Sequence, residues 1–326
     1  MTKFIVLALP VFALAATGCR GSSDSKATAN AGDAGGVPGA SSAEAELGPN
    51  EPANATSLPA DVVRTAVNPN NLPIYAGPTA SLEGTVTVVG DPPIPARNRD
   101  FSQCPDAEGF YGKSFREGPA RPDGSRPLAD ALVVLTGYAG YIVAERHPKK
   151  RMTIERCAYS TRTIDLTFGQ VLQVQNHDSK MHAPEISDHA MPALMVASPG
   201  GDPVEVYPTK PGFTLLTDKM GPPWMTADVY TLPQPLHAVT DRDGHFRVDG
   251  IPTENADHSP VDDLEISAAL RAIGRSATKR VPHLTPNVVE HVDVQLENHP
   301  PPAPPDAGVK PVDAGKPPPP PPPKLH

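Results

Sequence analysis

No stretch of about 79–298 sustains helical periodicity over many turns, and that absence constrains the fold most. What recurs instead are short alternating or apolar runs cut by Gly and Pro, the pattern of strands joined by turns. Ser81 to Val89 reads as a first strand and Ala131 to Thr136 as a second, buried on both faces. Thr163 to Phe168 and Val171 to Asn176 alternate around a Gly169-Gln170 turn. Thr214-Leu215-Leu216, Ala227 to Leu232 and His237 to Thr240 follow. Asp241-Arg242-Asp243-Gly244 then reads as a turn into His245 to Val248, and Leu264 to Leu270 and Val288 to Leu296 complete the set. About 79–298 is expected to be one folded unit of the all-β class, a β-sandwich, long enough for a substantial core.

The two ends have a different composition. From Arg20 to about Thr79 the chain is Ala, Gly, Ser, Asn and Pro with scattered acids. Such a stretch buries too little apolar surface to offset its ordering entropy, so a disordered tether is expected over 20–78. The segment 299–326 holds 13 of the 43 prolines and ends in a run from Pro317 to Pro323, for which extended polyproline II is the expected form. Lys3, the apolar run from Phe4 to Ala16 and then Ala16-Thr17-Gly18-Cys19 together resemble a bacterial lipoprotein signal peptide over 1–19. The run is too short to span a bilayer. The resemblance implies an exported, membrane-anchored lipoprotein with lipid on Cys19, and Arg20 behind it implies the periplasmic face of the outer membrane. Cys104 and Cys157 are then an even pair in an oxidising compartment, for which a disulfide is expected, free thiols open to a metal being the alternative. A loop of that length stabilises a fold by roughly 4 kcal/mol in the chain-entropy model.

Within the core, Thr240-Asp241-Arg242-Asp243-Gly244-His245-Phe246-Arg247-Val248-Asp249-Gly250-Ile251-Pro252 resembles the signature of carboxypeptidase regulatory-like, or transthyretin-like, domains. The resemblance implies that about 79–136 and 237–297 supply the strands of such a domain. Between them, about 154–232 is similar to a cupredoxin-like piece: Ile154-Glu155-Arg156-Cys157, then Leu166 to Asn176, lead into His177-Asp178-Ser179-Lys180-Met181-His182. The expectation is therefore a composite sandwich, cupredoxin-like and transthyretin-like.

In the cupredoxin family a blue-copper centre needs two imidazoles, a thiolate and a weak axial thioether. The resemblance puts His182 at the first imidazole. Matching Asp218 and Trp224-Met225 to the family's closing loop puts Thr217 at the Cys position and Met220 or Pro222 at the second His. A Thr hydroxyl is a hard, neutral donor and no substitute for a thiolate, so no cofactor is expected at a blue-copper position. A softer Cu(I) site remains open, with His182, His189, Met220 and Met225 as candidate ligands. His177, Met181, Met191 and Met195 lie in the same segment, which concentrates five of the seven methionines. Packing is the plainer role for Met in an irregular core.

No Gly-x-Ser-x-Gly elbow, Gly-rich phosphate loop or His-Glu-x-x-His helix occurs, and no enzymatic activity is expected. The net charge of −9 argues against nucleic acid. Arg146 to Arg151, the one basic cluster, reads as a solvated hairpin tip. Asp241 to Gly244 lacks the spaced acids of a calcium loop. The sequence thus points to a non-enzymatic binding or structural module of the cell envelope, its partners the membrane through its lipid and an envelope protein or ligand. The alternative is a periplasmic copper carrier.

Overall fold

The computed structural model describes residues 58–138, 140–142, 149–187, 195–255 and 257–299. Cys19, most of the expected tether, the Pro-rich tail, Arg146 to Pro148, His189 and Met191 lie outside the described residues. The described chain is all-β apart from two short α-helices and brief 3-10 turns, and none of its helices is long and apolar enough to cross a membrane.

A helix α1 (Ala60–Val67) comes first. Strand β1 (Thr79–Gly90), helix α2 (Glu108–Tyr111), β2 (Arg126–Pro127) and β3 (Leu132–Thr136) follow. The middle of the chain forms β4 (Lys149–Glu155), β5 (Ala158–Tyr159), β6 (Thr163–Thr167), β7 (Val171–Asn176), β8 (Pro184–Ile186), β9 (Val204–Val206), β10 (Gly212–Asp218) and β11 (Thr226–Leu232). The chain ends in β12 (His237–Val239), β13 (His245–Pro252), β14 (Glu265–Leu270), β15 (Arg275–Arg280), β16 (Val289–His291) and β17 (Val294–Asn298).

These strands form four sheets around two cores. In one, β1 pairs with β13, β16, β17 and β2; in another the order is β12-β3-β14-β15. Leu82, Val86 and Val88 of β1, Val133 and Leu135 of β3, Phe246 and Val248 of β13 and Ile266 and Ala268 of β14 enclose the first core between those sheets. The other two sheets run β6-β11-β10-β8 and β5-β4-β7-β9. They close a second core on Met152, Ile154, Leu166, Leu172, Val174, Leu216 and Val229, and Cys104 to Tyr111 pack onto the same core from far upstream. Period-two alternation is plain in β7 and β11, whose outer faces meet solvent.

Where the structure departs from the sequence pattern, the sheets explain it. Thr163 to Thr167 does not alternate: every residue of β6 is buried, because its outer face meets β12 of the first sandwich, where Asp165 holds His237. The Gly169-Gln170 turn does not close a hairpin. It carries the chain from β6, paired with β11, to β7, paired with β4 and β9 in the opposite sheet. Val288 to Leu296 is two strands, since Asp293 turns its carboxylate to accept the Thr85 N–H at 2.8 Å. Lys149, Lys150 and Arg151 are not at a hairpin tip but in β4, and the Lys150 ammonium donates to Asp165 Oδ1 at 2.7 Å.

The end of the segment read as tether carries α1, whose Val63 sits where a Cβ on Gly169 would come within 2.5 Å of its Cγ1. Asn68 then clasps Leu72 through both backbone groups, and Tyr75 N–H donates to Tyr141 O at 2.8 Å. Gly84 is dictated by close approach, since a Cβ there would meet the Val292 carbonyl oxygen at 2.0 Å.

Candidate functional site

The loop after β7 is shaped by Asn176. Its buried amide donates to Lys180 O at 2.7 Å and Ala197 O at 2.8 Å, while its Oδ1 accepts the Asp178 N–H at 2.8 Å. Asp178 in turn faces the β4–β5 turn, where Arg156 and Cys157 both have positive φ, the conformation a two-residue hairpin needs to match strand twist. Asp178 Oδ2 accepts the Cys157 N–H at 2.7 Å. The turn is also tied covalently, because Cys157 forms the expected disulfide with Cys104.

At the end of this loop His182 is drawn inward by a bridge to Ala197, with backbone hydrogen bonds of 3.2 and 2.8 Å. Its side chain is 2% exposed and meets the fully buried carboxylate of Asp218, Nδ1 to Oδ2. Asp218 Oδ1 accepts the N–H of Ala183 at 2.8 Å and of Met220 at 3.0 Å. On the other side of the ring, Nε2 lies 3.4 Å from Asp178 Oδ2, an ion-pair distance without hydrogen-bond alignment, and has no other partner among the described residues. An imidazole thus sits between two carboxylates in the second core.

The electrostatics follow from that enclosure. Burial pulls the His182 pKa down, but Asp218 and then Asp178 outweigh it and hold it above the ordinary histidine value. Burial pushes Asp218 up, and His182 with the two N–H donors more than reverses it, so this carboxyl lies below its usual range. Asp178 is lowered as well: burial opposes, while the Cys157 and Ser179 N–H groups and His182 prevail. The nearby Tyr159 hydroxyl is buried with no hydrogen-bond partner among the described residues. Burial, then the Asp218 and Tyr111 charges, push it well above the ordinary phenol value.

Residues of the closing loop take up different places from those the sequence match gave them. The one that reaches His182 is Asp218, not Thr217. Side chains alternate along β10, so Asp218 shares the inward face of Thr214 and Leu216. The Thr217 hydroxyl turns the other way and donates to Glu185 O at 3.3 Å. Met220 is 50% exposed and Met181 55%, whereas Met225 is fully buried in the second core beside Trp224. Trp224 packs on Phe101 and Tyr111 at ring-centroid distances of 4.8 and 5.3 Å and donates Nε1–H to Asp100 O at 3.2 Å. The candidate donors are thus split between surface and core. A carboxylate on Nδ1, a hydroxyl facing away and cysteines joined as a disulfide do not fit a blue-copper centre. Among the described residues no three His, Cys, Asp or Glu side chains are grouped to hold a metal ion.

A second polar cluster, which sequence reasoning missed, joins the two sandwiches. Asp165 on β6 binds His237 Nδ1 at 2.7 Å and Lys150 Nζ at 2.7 Å, and His237 Nε2 lies 2.9 Å from Thr167 Oγ1. Burial pushes Asp165 up, but the His237 hydrogen bond and the Lys150 charge outweigh it and leave it below its ordinary value. The order hydroxyl, imidazole, carboxylate is that of a nucleophile with its base and orienter. Here the Thr167 hydroxyl is sealed at 2% exposure, and the network pins β4, β6 and β12 together. Its bonded pairs are up to 72 residues apart in sequence, with no local signal to join them.

No known family profile matches the chain, and no curated protein does. Among solved structures, a purple cupredoxin from Nitrosopumilus maritimus matches 25% of this chain and 97% of its own length at 17% identity and a TM-score of 0.22. A mutant amicyanin in its reduced state matches 30% of this chain and 98% of its own length at 13% identity and a TM-score of 0.24. A copper-containing nitrite reductase from Thermus scotoductus matches 25% of this chain and 21% of its own at 15% identity and a TM-score of 0.21. Likeness at this level says nothing of function.

Proposed function

We propose that this chain is a non-catalytic binding or structural module of the cell envelope, anchored by lipid on Cys19, whose second sandwich keeps a His182 ion pair at the position the sequence resemblance gave to a copper ligand. The observation that carries this reading is the imidazole itself: Nδ1 is engaged by Asp218, Nε2 faces Asp178, and the ring is buried. A ring held toward its protonated form between two anions has no lone pair to offer a metal. The buried Met225 and Trp224 then serve as packing.

An anaerobic Cu(I) titration of the full chain against a chromophoric chelator, with His182→Ala alongside, tests it. The reading expects no tight one-to-one site that depends on His182, and such a site collapsing in the variant would overturn it. The exposed thioethers of Met181 and Met220 favour one second reading, a surface Cu(I) carrier. Binding that survives His182→Ala and falls with Met220→Ala would select it. The anchor is tested separately: Cys19→Ser should move the protein from the membrane fraction to the soluble one.

A further inference from the structure

Two cavities run along the seam between the sandwiches and share Arg116, Ser160 and Arg242. The larger, of about 820 Å³, is lined by Lys113, Arg156, Ser160 and Arg242 among others. The smaller, of about 330 Å³, is lined by Arg151, Ser160, Thr163 and again Arg242. Arg242 belongs to the first sandwich but reaches walls supplied by β4, β5 and the start of β6. Its presentation is rigid. The turn that carries it is closed by Asp241 N–H to His245 O at 3.0 Å and Gly244 N–H to Asp241 O at 3.1 Å. Asp241 Oδ1 accepts the N–H groups of Asp243 and His245 at 2.9 Å each. Gly244, at φ 76°, lets the turn press on the backbone of β1, since a Cβ there would meet Val86 O at 2.5 Å.

The charges in these cavities are not balanced by one another. Glu117 is paired with Arg126, and Asp165 with Lys150 and His237. Asp106 and Glu155 both face Arg156. Arg116 is engaged by Asp130 through two hydrogen bonds and lies over the Phe110 ring. What remains are the Asp241 carboxylate, which accepts N–H groups of its own turn, and three cations whose side chains have no partner among the described residues: Lys113 in the larger lobe, Arg151 in the smaller, Arg242 at the waist. The turn fixes the backbone from which Arg242 projects, and its planar guanidinium is a fork that matches a carboxylate or phosphate.

We propose that the seam is a binding site for a small multivalent oxyanion, with one anionic group at Arg242 and others reaching Lys113 and Arg151. Phosphate and carboxylate share this chemistry. The site is separate from His182 and does not depend on how that residue is read.

Isothermal titration at fixed ionic strength, using the full chain and tripolyphosphate or citrate as probes, tests the proposal. Arg242→Ala should weaken binding at least tenfold and Arg151→Ala several-fold. Lys210→Ala, an exposed cation away from the seam, should leave it unchanged. Among the described residues the Arg242 side chain has no polar partner that its loss would leave unpaired, so the unliganded melting temperature of Arg242→Ala should match the parent. A response to tripolyphosphate alone, to citrate alone or to both supports the site and assigns phosphate, carboxylate or either. No binding of either probe, or equal weakening in Lys210→Ala and Arg242→Ala, would show only diffuse counterion attraction and overturn it.

Discussion

Replacing Asp218 by Asn tests the reading of His182 most directly. The carboxylate is fully buried, pairs with an imidazole that is almost as buried, and accepts two backbone N–H groups. An Asn of the same shape keeps an oxygen for Ala183 and Met220 but turns a neutral amide toward the ring. Removing one partner of a buried pair while the other stays charged costs about 3–5 kcal/mol. His182 escapes part of that by losing its proton, so the expected loss is about 2–3 kcal/mol, between that cost and the one for an imperfect hydrogen bond. In a domain of this size the melting temperature should fall by roughly 4–12 °C.

The pH dependence carries a sharper signature. A histidine raised in the folded state contributes stability fully below its unfolded value of about 6.5 and loses it as pH rises through the folded value. The lowered Asp218 and Asp178 contribute above about 3.9 and lose their share as pH falls through theirs. The parent should thus gain from this cluster between those limits and weaken on the alkaline side. In Asp218→Asn the His182 titration should move down and the alkaline decline shrink. Urea denaturation across pH with an NMR titration of the His182 ring measures both. A loss below about 0.5 kcal/mol, the range of ordinary surface changes, together with an unmoved His182 titration would refute the ion-pair account.

Other perturbations separate packing from ligation. Met225→Ala should cost about 2–5 kcal/mol as a core truncation, while Met220→Ala should stay within about 0.5 kcal/mol in denaturant titrations. Reducing the Cys104–Cys157 link, with 53 residues of separation, should lower stability by roughly 4 kcal/mol on the chain-entropy account, read as the shift in denaturation with and without reductant. Asp165→Ala leaves Lys150 and His237 without their shared carboxylate and should cost about 3 kcal/mol near neutral pH. The penalty should shrink as pH falls through the lowered Asp165 value, because the parent loses that contribution there too. Gly84→Ala should destabilise by about 1–3 kcal/mol or more, since its Cβ meets backbone that cannot retreat.

Strand content was legible because alternation and turn residues act locally. Val171 to Asn176 and Ala227 to Leu232 show their inward faces directly, and the even cysteine pair was enough to expect the disulfide. The short strands β2, β5, β8 and β9, of two or three residues each, had no pattern long enough to read. At the site, His182 was singled out as a candidate metal ligand, and the β10 side chain that reaches it is Asp218, one position beyond Thr217. The register of β10 decides which of Thr217 and Asp218 faces inward, and register is set by pairing with β8 and β11 rather than by the loop itself. The Asp165–His237 network and the waist at Arg242 exist only once two sandwiches meet.

That meeting has a topological side. Strands β3 and β12 are hydrogen-bonded neighbours, with Val134 opposite His237, so most of the second sandwich hangs from the first as an oversized hairpin loop. Such insertions are ordinarily separable, because their two ends leave the host side by side. Here a second thread runs the other way: the excursion between β1 and β2 sends Cys104, Phe110 and Tyr111 into the guest's core and is bonded there to Cys157. The guest's core is thus completed by a piece of the host. Deleting the loop would strip the host's own excursion of its seat, and expressing the guest alone would leave its core short of an aromatic wall. The two sandwiches should therefore melt in a single transition, inherited and lost as one object.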